Sequence, residues 1–536
     1  MARRTTSSFH LGRVFDWHAE QARQSVLHVD RPFDIAPDGG LVYDGPALAA
    51  AVRELSDCLH AAGLRRGDRV VVSKENHFDM VLLAAGAARI GAVPVMIAPI
   101  ASLESVRTMV DRAAPRLLVA GTGLLARAAE AGVELADEAV RVVRAGPSGA
   151  GGGGAVPLDE LRGGPAAPAR PGGDDDPMIA THTSGTTGVP KLVLHTANTA
   201  VGRFPPRMER YRLPLLTTRR DDVVAAAVSF AHIRVVAWAS SQLKMAPRKL
   251  VAVSDPGLAT VERVLEEHRP TSLEAFPNVF QHWEQLVDER PELFARTRLY
   301  VSTFDAVHPR TVRKFLGASR RRFPVWGWGL GQSEITGIMA NLFTRRTVRA
   351  KARPDATNTG WPMLVGLDVV DPETGRRQAR GKPGIIMVST RARCLTYLGE
   401  DDRYRAKLDG RWWNSGDLGV RAGFGRVRLI DREVDMVPGI SCIELESTLL
   451  ERLENASDVT VLGVPGQPPV PVLCMRGDRL DPREWERATA GLPALAPPRT
   501  VPWEDVPRTA TWKVRRAALR EQVLGTGATF GSGKWT

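Results

Sequence analysis

Apolar and polar positions alternate between two periods along the first part of the chain. Leu48, Val52, Leu55 and Leu59 recur at helical spacing, and GLRRGDRVVV (63–72) reads as a turn followed by a buried strand. Val81–Ile90 is apolar and alanine-rich, which predicts a helix, and AVPVMIAP (92–99) predicts a second strand. The alternation resumes with strands at 221–230, 271–276 and 298–304 and helices around 258–267, 278–287 and 309–316. Strand–helix alternation of this kind predicts parallel βαβ units. From about residue 360 the pattern changes to short strands and turns (GLDVVD, GIIMVST, GVRAGFGRVRLID), as in a β-rich subdomain. A smaller α+β unit is expected after Asp431–Arg432; its helix over 443–455 puts Leu445, Leu449 and Leu453 on one face. The expected fold is α/β, with a large N-terminal domain (1–432) of βαβ-type parallel sheets plus a β-rich part, and a small α+β C-terminal domain (433–536).

Length agrees with this division, since 536 residues exceed one core at roughly 150 residues per domain. The glycine-, proline- and aspartate-rich stretch 145–177 reads as a solvated surface connection within the larger domain. No run of about 18 apolar residues predicts a membrane span, and the start MARRTTSSFHLGRVF lacks the apolar core of a secretory signal. The chain is expected to be cytoplasmic. Cys58, Cys394, Cys442 and Cys474 are far apart and form no CxxC pair, so free thiols are expected. The net charge of +12 comes mainly from scattered arginines, with no basic segment interleaved with aromatics. Nucleic acid is therefore not the expected partner, whereas small anionic substrates would gain from a positive field.

The densest chemistry lies in Thr181–Lys191, THTSGTTGVPK. Gly185 and Gly188 let several backbone N–H groups turn toward one anion. Thr183, Ser184, Thr186 and Thr187 add hydroxyls, and Lys191 a mobile positive charge. The loop is expected between a strand ending near Ile179 and a helix starting near Lys191. It is not the P-loop of NTPases, which ends Gly-Lys-Ser/Thr; here Pro190 precedes Lys191 and Leu192 follows. The terminal GSGKWT also fails that pattern, at Ala528 and Trp535.

This loop resembles the phosphate-binding signature of the adenylate-forming superfamily, which comprises acyl-CoA synthetases, luciferases and peptide-synthetase adenylation domains. Four further signatures follow in order: LGQSE (330–334), WWNSGDLG (412–419), GRVRLIDREVD (425–435) and PRTATWKVRR (507–516). The resemblance covers nearly the whole chain. It implies that Thr183, Ser184, Gly185, Thr186, Thr187, Gly188 and Lys191 hold the β- and γ-phosphates of ATP. Asp305, Ala306, Leu330 and Gly331 would line the adenine side, and Ser333 would contact the α-phosphate. Asp417 and Arg432 would take the ribose hydroxyls, and Glu334 would ligate Mg²⁺. Lys513 would bridge the substrate carboxylate and the α-phosphate, and His232 would stand near the acyl pocket. The small C-terminal domain would rotate between two half-reactions.

Several positions depart from the family. Leu330 replaces a stacking tyrosine, Trp512 replaces the glycine before the catalytic lysine, and Val434 takes the polar hinge position. The glycine-rich hairpin after the hinge, which lines the pantetheine tunnel in the family, is about four residues shorter. The leading expectation is an acyl-CoA ligase that carries a hydrophobic or specialised-metabolite carboxylic acid through an acyl-adenylate to coenzyme A. The departures keep open a half-reaction specialist, which would either only adenylate or only convert preformed acyl-AMP. A stand-alone enzyme loading a carrier protein also stays open, as does association with a neighbouring biosynthetic enzyme. A non-catalytic nucleotide binder is the reading from another class; the retained Lys513 and Glu334 argue against it.

Overall fold

A computed structural model describes residues 9–146, 154–183, 189–202, 204–211, 215–349, 353–477 and 480–525. Contacts divide the chain into one unit of Met1–Ser272, Ser333–Thr336 and Arg391–Tyr404, and another of Leu273–Gln332, Gly337–Thr390 and Arg405–Thr536. The mixed α/β architecture, with a large parallel-sheet part and β-rich parts, is the one the sequence pattern predicts.

In the first unit, eight strands among the described residues form one sheet. Their order is Thr396–Tyr397, Leu192–His195, Ile179–His182, Val93–Met96, Arg69–Ser73, Leu117–Gly121, Arg141–Ala145 and Val156–Pro157. Pairing is parallel from Ile179–His182 through Val156–Pro157 and antiparallel at the other end. The predicted helix is Gly45–Ala61: the Asp44 side chain accepts from Ala47 N, a proline sits in the first turn, and Leu48, Val52, Leu55 and Leu59 are buried. The helix Asp79–Ile90 ends at Gly91, whose φ of 89° supplies the left-handed cap. Valines of the central strands and Ala180 and Leu192 from the hairpin share one core. Val26–Val29, Lys249–Val253 and Val223–Ala227 pair in parallel elsewhere in this unit, with Val42–Tyr43 antiparallel at the edge. Residues 145–146 and 154–177 fall inside this unit.

The helix expected to start at Lys191 is a strand instead. Leu192–His195 pairs antiparallel with Ile179–His182, in register from Ile179↔His195 to His182↔Leu192. Leu192 and Val193 are buried, and a run of Leu and Val packs better on a pleated, doubly covered surface than in a first helical turn. The helix begins only at Ala197, capped by Thr196. The described segments on either side of 184–188 are thus paired strands, and the next helix starts at Ala197.

In the second unit Leu299–Thr303 and Val325–Gln332 pair in parallel. Next to Val325–Gln332 comes Thr336–Phe343, followed by Thr359–Pro362, Val427–Arg432, Trp412–Arg421, Pro383–Ser389 and Gly366–Val370 in antiparallel order, giving the β-rich part. The helix expected over 278–287 is two, Pro277–His282 and Glu284–Glu289. They are divided at Trp283, whose buried indole packs edge-on against Phe280 with ring centroids 5.6 Å apart. The helix expected over 443–455 spans Cys442–Arg452, with Leu453 as its buried cap residue. Ala456–Leu462, Val470–Met475 and Arg499–Thr500 form a small separate sheet.

One side chain ties the C-terminal segment of this unit to Pro309–Ala318. The Arg310 guanidinium donates to the carbonyls of Leu450, Leu453 (3.1 Å) and Ala456 (2.6 Å). It thereby satisfies the end of the helix Cys442–Arg452, whose last carbonyls have no intrahelical donor. Its charge is balanced by buried Glu284 at 3.1 Å, which also accepts from Thr311 Oγ1 at 2.6 Å. Removing Arg310 leaves the three carbonyls without this donor and Glu284, buried, with only Lys314 at 3.3 Å and Arg476 at 3.8 Å opposite it among the described residues. Arg310→Ala is therefore expected to destabilise this unit by about 3–5 kcal/mol, read from the urea midpoint of the full chain; a change below about 1 kcal/mol would contradict it.

Candidate functional site

The first unit collects the hairpin base, three histidines and a buried carboxylate. Thr183 N donates to Lys191 O at 2.9 Å, and Lys191 N donates back to Thr183 Oγ1 at 3.1 Å. These two bonds clamp the ends of the glycine-rich loop. Ser184, Gly185, Thr186, Thr187 and Gly188 lie outside the described residues. His182 accepts Ala98 N–H at Nε2 (3.0 Å), so its Nδ1–H donates to Thr183 O at 2.7 Å. Burial lowers its pKa, which holds it in this neutral form.

Glu334 is buried, and its Oε1 accepts the Tyr397 hydroxyl proton at 2.7 Å. Burial and the neighbouring Glu334 charge raise the phenol's pKa, so it remains a donor. Lys191 Nζ lies 5.3 Å from the centre of the Tyr397 ring. Lysine, phenol and carboxylate thus form one small polar cluster beside the loop.

Ser333 is held from both ends. His195 Nε2 lies 2.7 Å from Ser333 O, and His195 Nδ1 lies 3.0 Å from Thr199 Oγ1. A carbonyl can only accept, so Nε2 carries the proton; burial lowers this pKa to about 4. His232 caps its own helix, Ile233–Met245: Nδ1 accepts from Arg234 N at 3.0 Å. Its proton therefore sits on Nε2, which donates to Ser333 Oγ at 3.1 Å. The serine hydroxyl then has its own proton to give to an anion.

The second unit has a polar cluster of its own. Asp417 is buried in the strand Trp412–Arg421 and pairs in register with Arg432, whose Nε lies 3.9 Å from Oδ1. Gln332 Nε2 donates to Asp417 Oδ2 (2.8 Å) and Ser415 O (2.7 Å), while its Oε1 accepts from Trp413 Nε1 at 3.3 Å. Burial raises the Asp417 pKa above the usual carboxylate value, against the opposing pull of Arg432 and Lys513. Lys513 thus lies within electrostatic reach of this carboxylate, and so does Asp305. Asp305 Oδ1 accepts from Ala306 N at 2.9 Å, and its carbonyl accepts from Trp328 Nε1 at 2.8 Å. Leu330 is buried in the strand Val325–Gln332, beside Gly331.

The turn carrying Lys513 explains one departure. Trp512 has φ 60°, a left-handed backbone that glycine adopts freely and tryptophan does not. Its ring stacks on Trp503 with centroids 5.3 Å apart, and Trp503 stacks in turn on His282 at 3.8 Å. Asn278 Nδ2 donates to Trp512 O at 2.9 Å. The stacking offsets the strain, and the indole sits in an aromatic pile on the same turn as the lysine.

Tyr397, His195 and Gln332 were not singled out from the sequence. Gln332 stood inside a recognised motif, and His195 closes the strand after the loop. Tyr397 carried no local signal, because only the strand pairing Tyr397↔Val193 brings it there.

The family model described as AMP-binding enzyme matches residues 19–398. A protein of Streptomyces cremeus named 3-amino-2-hydroxy-4-methoxybenzoate diazotase is 35% identical over 99% of this chain and 98% of its own length. The 3-hydroxybenzoate–CoA ligase of Aromatoleum sp. (strain CIB) is 25% identical over 88% of this chain and 90% of its own. The crystal structure of a benzoate CoA ligase from Burkholderia xenovorans LB400 shares the fold, with a TM-score of 0.76 at 20% identity over 96% of this chain and 100% of that one.

The strained turn gives a test on two variants. Trp512→Ala loses the stack and keeps the positive φ, whereas Trp512→Gly loses the stack and relieves the strain. The glycine variant is expected to be the more stable by about 1 kcal/mol, read from urea midpoints; equal midpoints, or a more stable alanine variant, would refute the strain.

Proposed function

This chain belongs to the AMP-binding enzyme family, and from that premise we propose that it is an adenylate-forming diazotase. It joins nitrite to AMP and passes the nitrosyl nitrogen to the amine of an aromatic amino-hydroxy acid. Adenylate formation solves a general problem of oxyacid anions. An anion is a poor electrophile, and a mixed anhydride with AMP supplies the leaving group. A nitrite oxygen attacks the α-phosphorus and pyrophosphate departs. The amine lone pair then attacks the nitrosyl nitrogen, the N–O bond to AMP breaks, and the amine gives up a proton. Loss of water from the N-nitroso amine yields the diazonium, and loss of the neighbouring hydroxyl proton gives a neutral diazo product. No outside oxidant enters, because nitrite supplies nitrogen already at the required oxidation level.

The observation that carries this reading is the turn after the hinge. Val437 and Ile440 form a bridge around Pro438 and Gly439, and the next helix starts at Cys442. Cys442 N donates to Asp431 Oδ2 at 2.8 Å and Ser441 Oγ to Ile430 O at 3.0 Å, which leaves no slack for a longer excursion. The resemblance assigns the pantetheine tunnel to a hairpin here, and a two-residue turn has nothing to line one with. The full-length likeness to a protein named as a diazotase supports a nitrogen acceptor.

In this reading Asp417 and Arg432 hold the ribose, and Asp305, Ala306, Leu330 and Gly331 the base. Ser333, oriented by His195 and His232, donates to the α-phosphate. Thr183–Gly188 and Lys191 hold the outer phosphates, and Lys513 brings the attacking anion to the α-phosphorus. Glu334, a single buried carboxylate already anchored by Tyr397, fits Mg²⁺, which takes one or two carboxylates and completes its shell with phosphate and water. Bound there, Mg²⁺ would neutralise phosphate charge. The boundary at 432/433, with the smaller part 433–536 carrying Lys513, belongs to the same proposal. So does a cytoplasmic place; no helix among the described residues is long and apolar enough to cross a membrane.

A second reading is the acid–CoA ligase, with a carboxylate in place of nitrite and coenzyme A or a carrier-protein thiol as acceptor. The 3-hydroxybenzoate–CoA ligase relative favours it. One assay separates the two. With ATP, Mg²⁺, nitrite and 3-amino-2-hydroxybenzoate, the protein is expected to form a diazo chromophore with one AMP and one pyrophosphate per product, indifferent to coenzyme A. Thioester from benzoates plus coenzyme A, with no diazo product, would overturn the proposal in favour of the ligase.

A further inference from the structure

We propose that His28, Glu267 and His268 form a divalent transition-metal site of the zinc class, separate from the residues assigned to the adenylate. The three side chains each offer one donor atom, and the donors all lie within 4.8 Å of one another. Two imidazoles and a carboxylate are a donor set suited to Zn²⁺, with water as fourth ligand.

The fold brings these residues together from distant parts of the chain. His28 lies on the strand Val26–Val29, opposite Val251 of the neighbouring strand. Glu267 and His268 close the helix Leu258–His268, whose buried Val261, Val264 and Leu265 fix its position. That placement puts the donors at a helix C-terminus, where the backbone dipole favours a cation. The two imidazole rings meet edge to face with centroids 5.0 Å apart, and Glu267 Oε1 lies 3.7 Å from His268 Nε2. Zn²⁺ at 2.0–2.2 Å from each donor needs donor pairs about 3.4 Å apart. Side-chain torsions, with Glu267 exposed, can supply the remaining contraction of up to about 1.4 Å.

Lys249 is the opposing group. Its Nζ lies 3.4 Å from His268 Nδ1, on the strand beside that of His28. An ammonium beside the site repels a bound dication, so the lysine weakens the site and a neutral residue strengthens it. A metal held here would clip the strand Val26–Val29 to the end of the helix Leu258–His268, raising stability in proportion to its occupancy.

The test uses the full chain, stripped of metal and titrated with Co²⁺ and Zn²⁺. One equivalent is expected, with visible d–d bands for Co²⁺ and a Zn²⁺-dependent rise in Tm. His28→Ala and His268→Ala should abolish both signals, Glu267→Gln should weaken binding at least tenfold, and Lys249→Ala should tighten it several-fold. Absence of stoichiometric binding overturns the proposal, as does binding unchanged in the two histidine variants. If His268→Ala does not fold, the Lys249→Ala titration decides: unchanged or weaker binding refutes the site.

Discussion

A buried carboxylate organises the chemistry of the second unit. Asp417 sits inside a sheet, where ionisation is costly, and burial raises its pKa accordingly. What keeps the anion affordable is a fixed ring of partners: the Gln332 amide, Arg432 across the strand pair, and the Lys513 charge. Each partner depends on something further. Gln332 is oriented by Trp413 and Ser415, Arg432 by its register opposite Asp417, and Lys513 by a turn that Asn278 and the stacked tryptophans hold. In the proposed function the ribose hydroxyls would complete that ring.

The first unit solves a similar problem with neutral groups. His195 and His232 are held in single tautomers by the groups at their second nitrogens, and both donate Nε2–H to Ser333. Tyr397 stays protonated and fixes Glu334. In the proposed function none of these donors would need to reorganise when charge develops on a phosphate, as in any preorganised polar site.

Much of this was legible in the sequence because βαβ periodicity is a local signal. The helix Gly45–Ala61 and the strands Arg69–Ser73 and Val93–Met96 fall where Leu48–Leu59, RVVV and AVPVM place them. The strand after the glycine-rich loop was misread as a helix, since LVLH is too short to show a period and its identity is settled by pairing with Ile179–His182. Trp512 stands where the family has glycine; its positive φ shows the backbone demand a glycine ordinarily meets, and Trp503 explains how an indole is tolerated. Tyr397 and His195 were invisible because their partners are brought by tertiary pairing. The shortened segment Val437–Ile440 was visible as a gap in a motif, and its consequence became plain only with the anchors at Asp431 and Ile430.

The central claim is that an oxygen of nitrite, rather than of a carboxylate, attacks the α-phosphorus. Nitrite labelled with ¹⁸O in both positions tests it in a single turnover mixture with ATP and 3-amino-2-hydroxybenzoate. Attack by nitrite predicts AMP that carries one ¹⁸O on its phosphate, because the later N–O cleavage leaves that oxygen behind. Unlabelled AMP from labelled nitrite, together with labelled AMP from an ¹⁸O-carboxylate, would contradict the account.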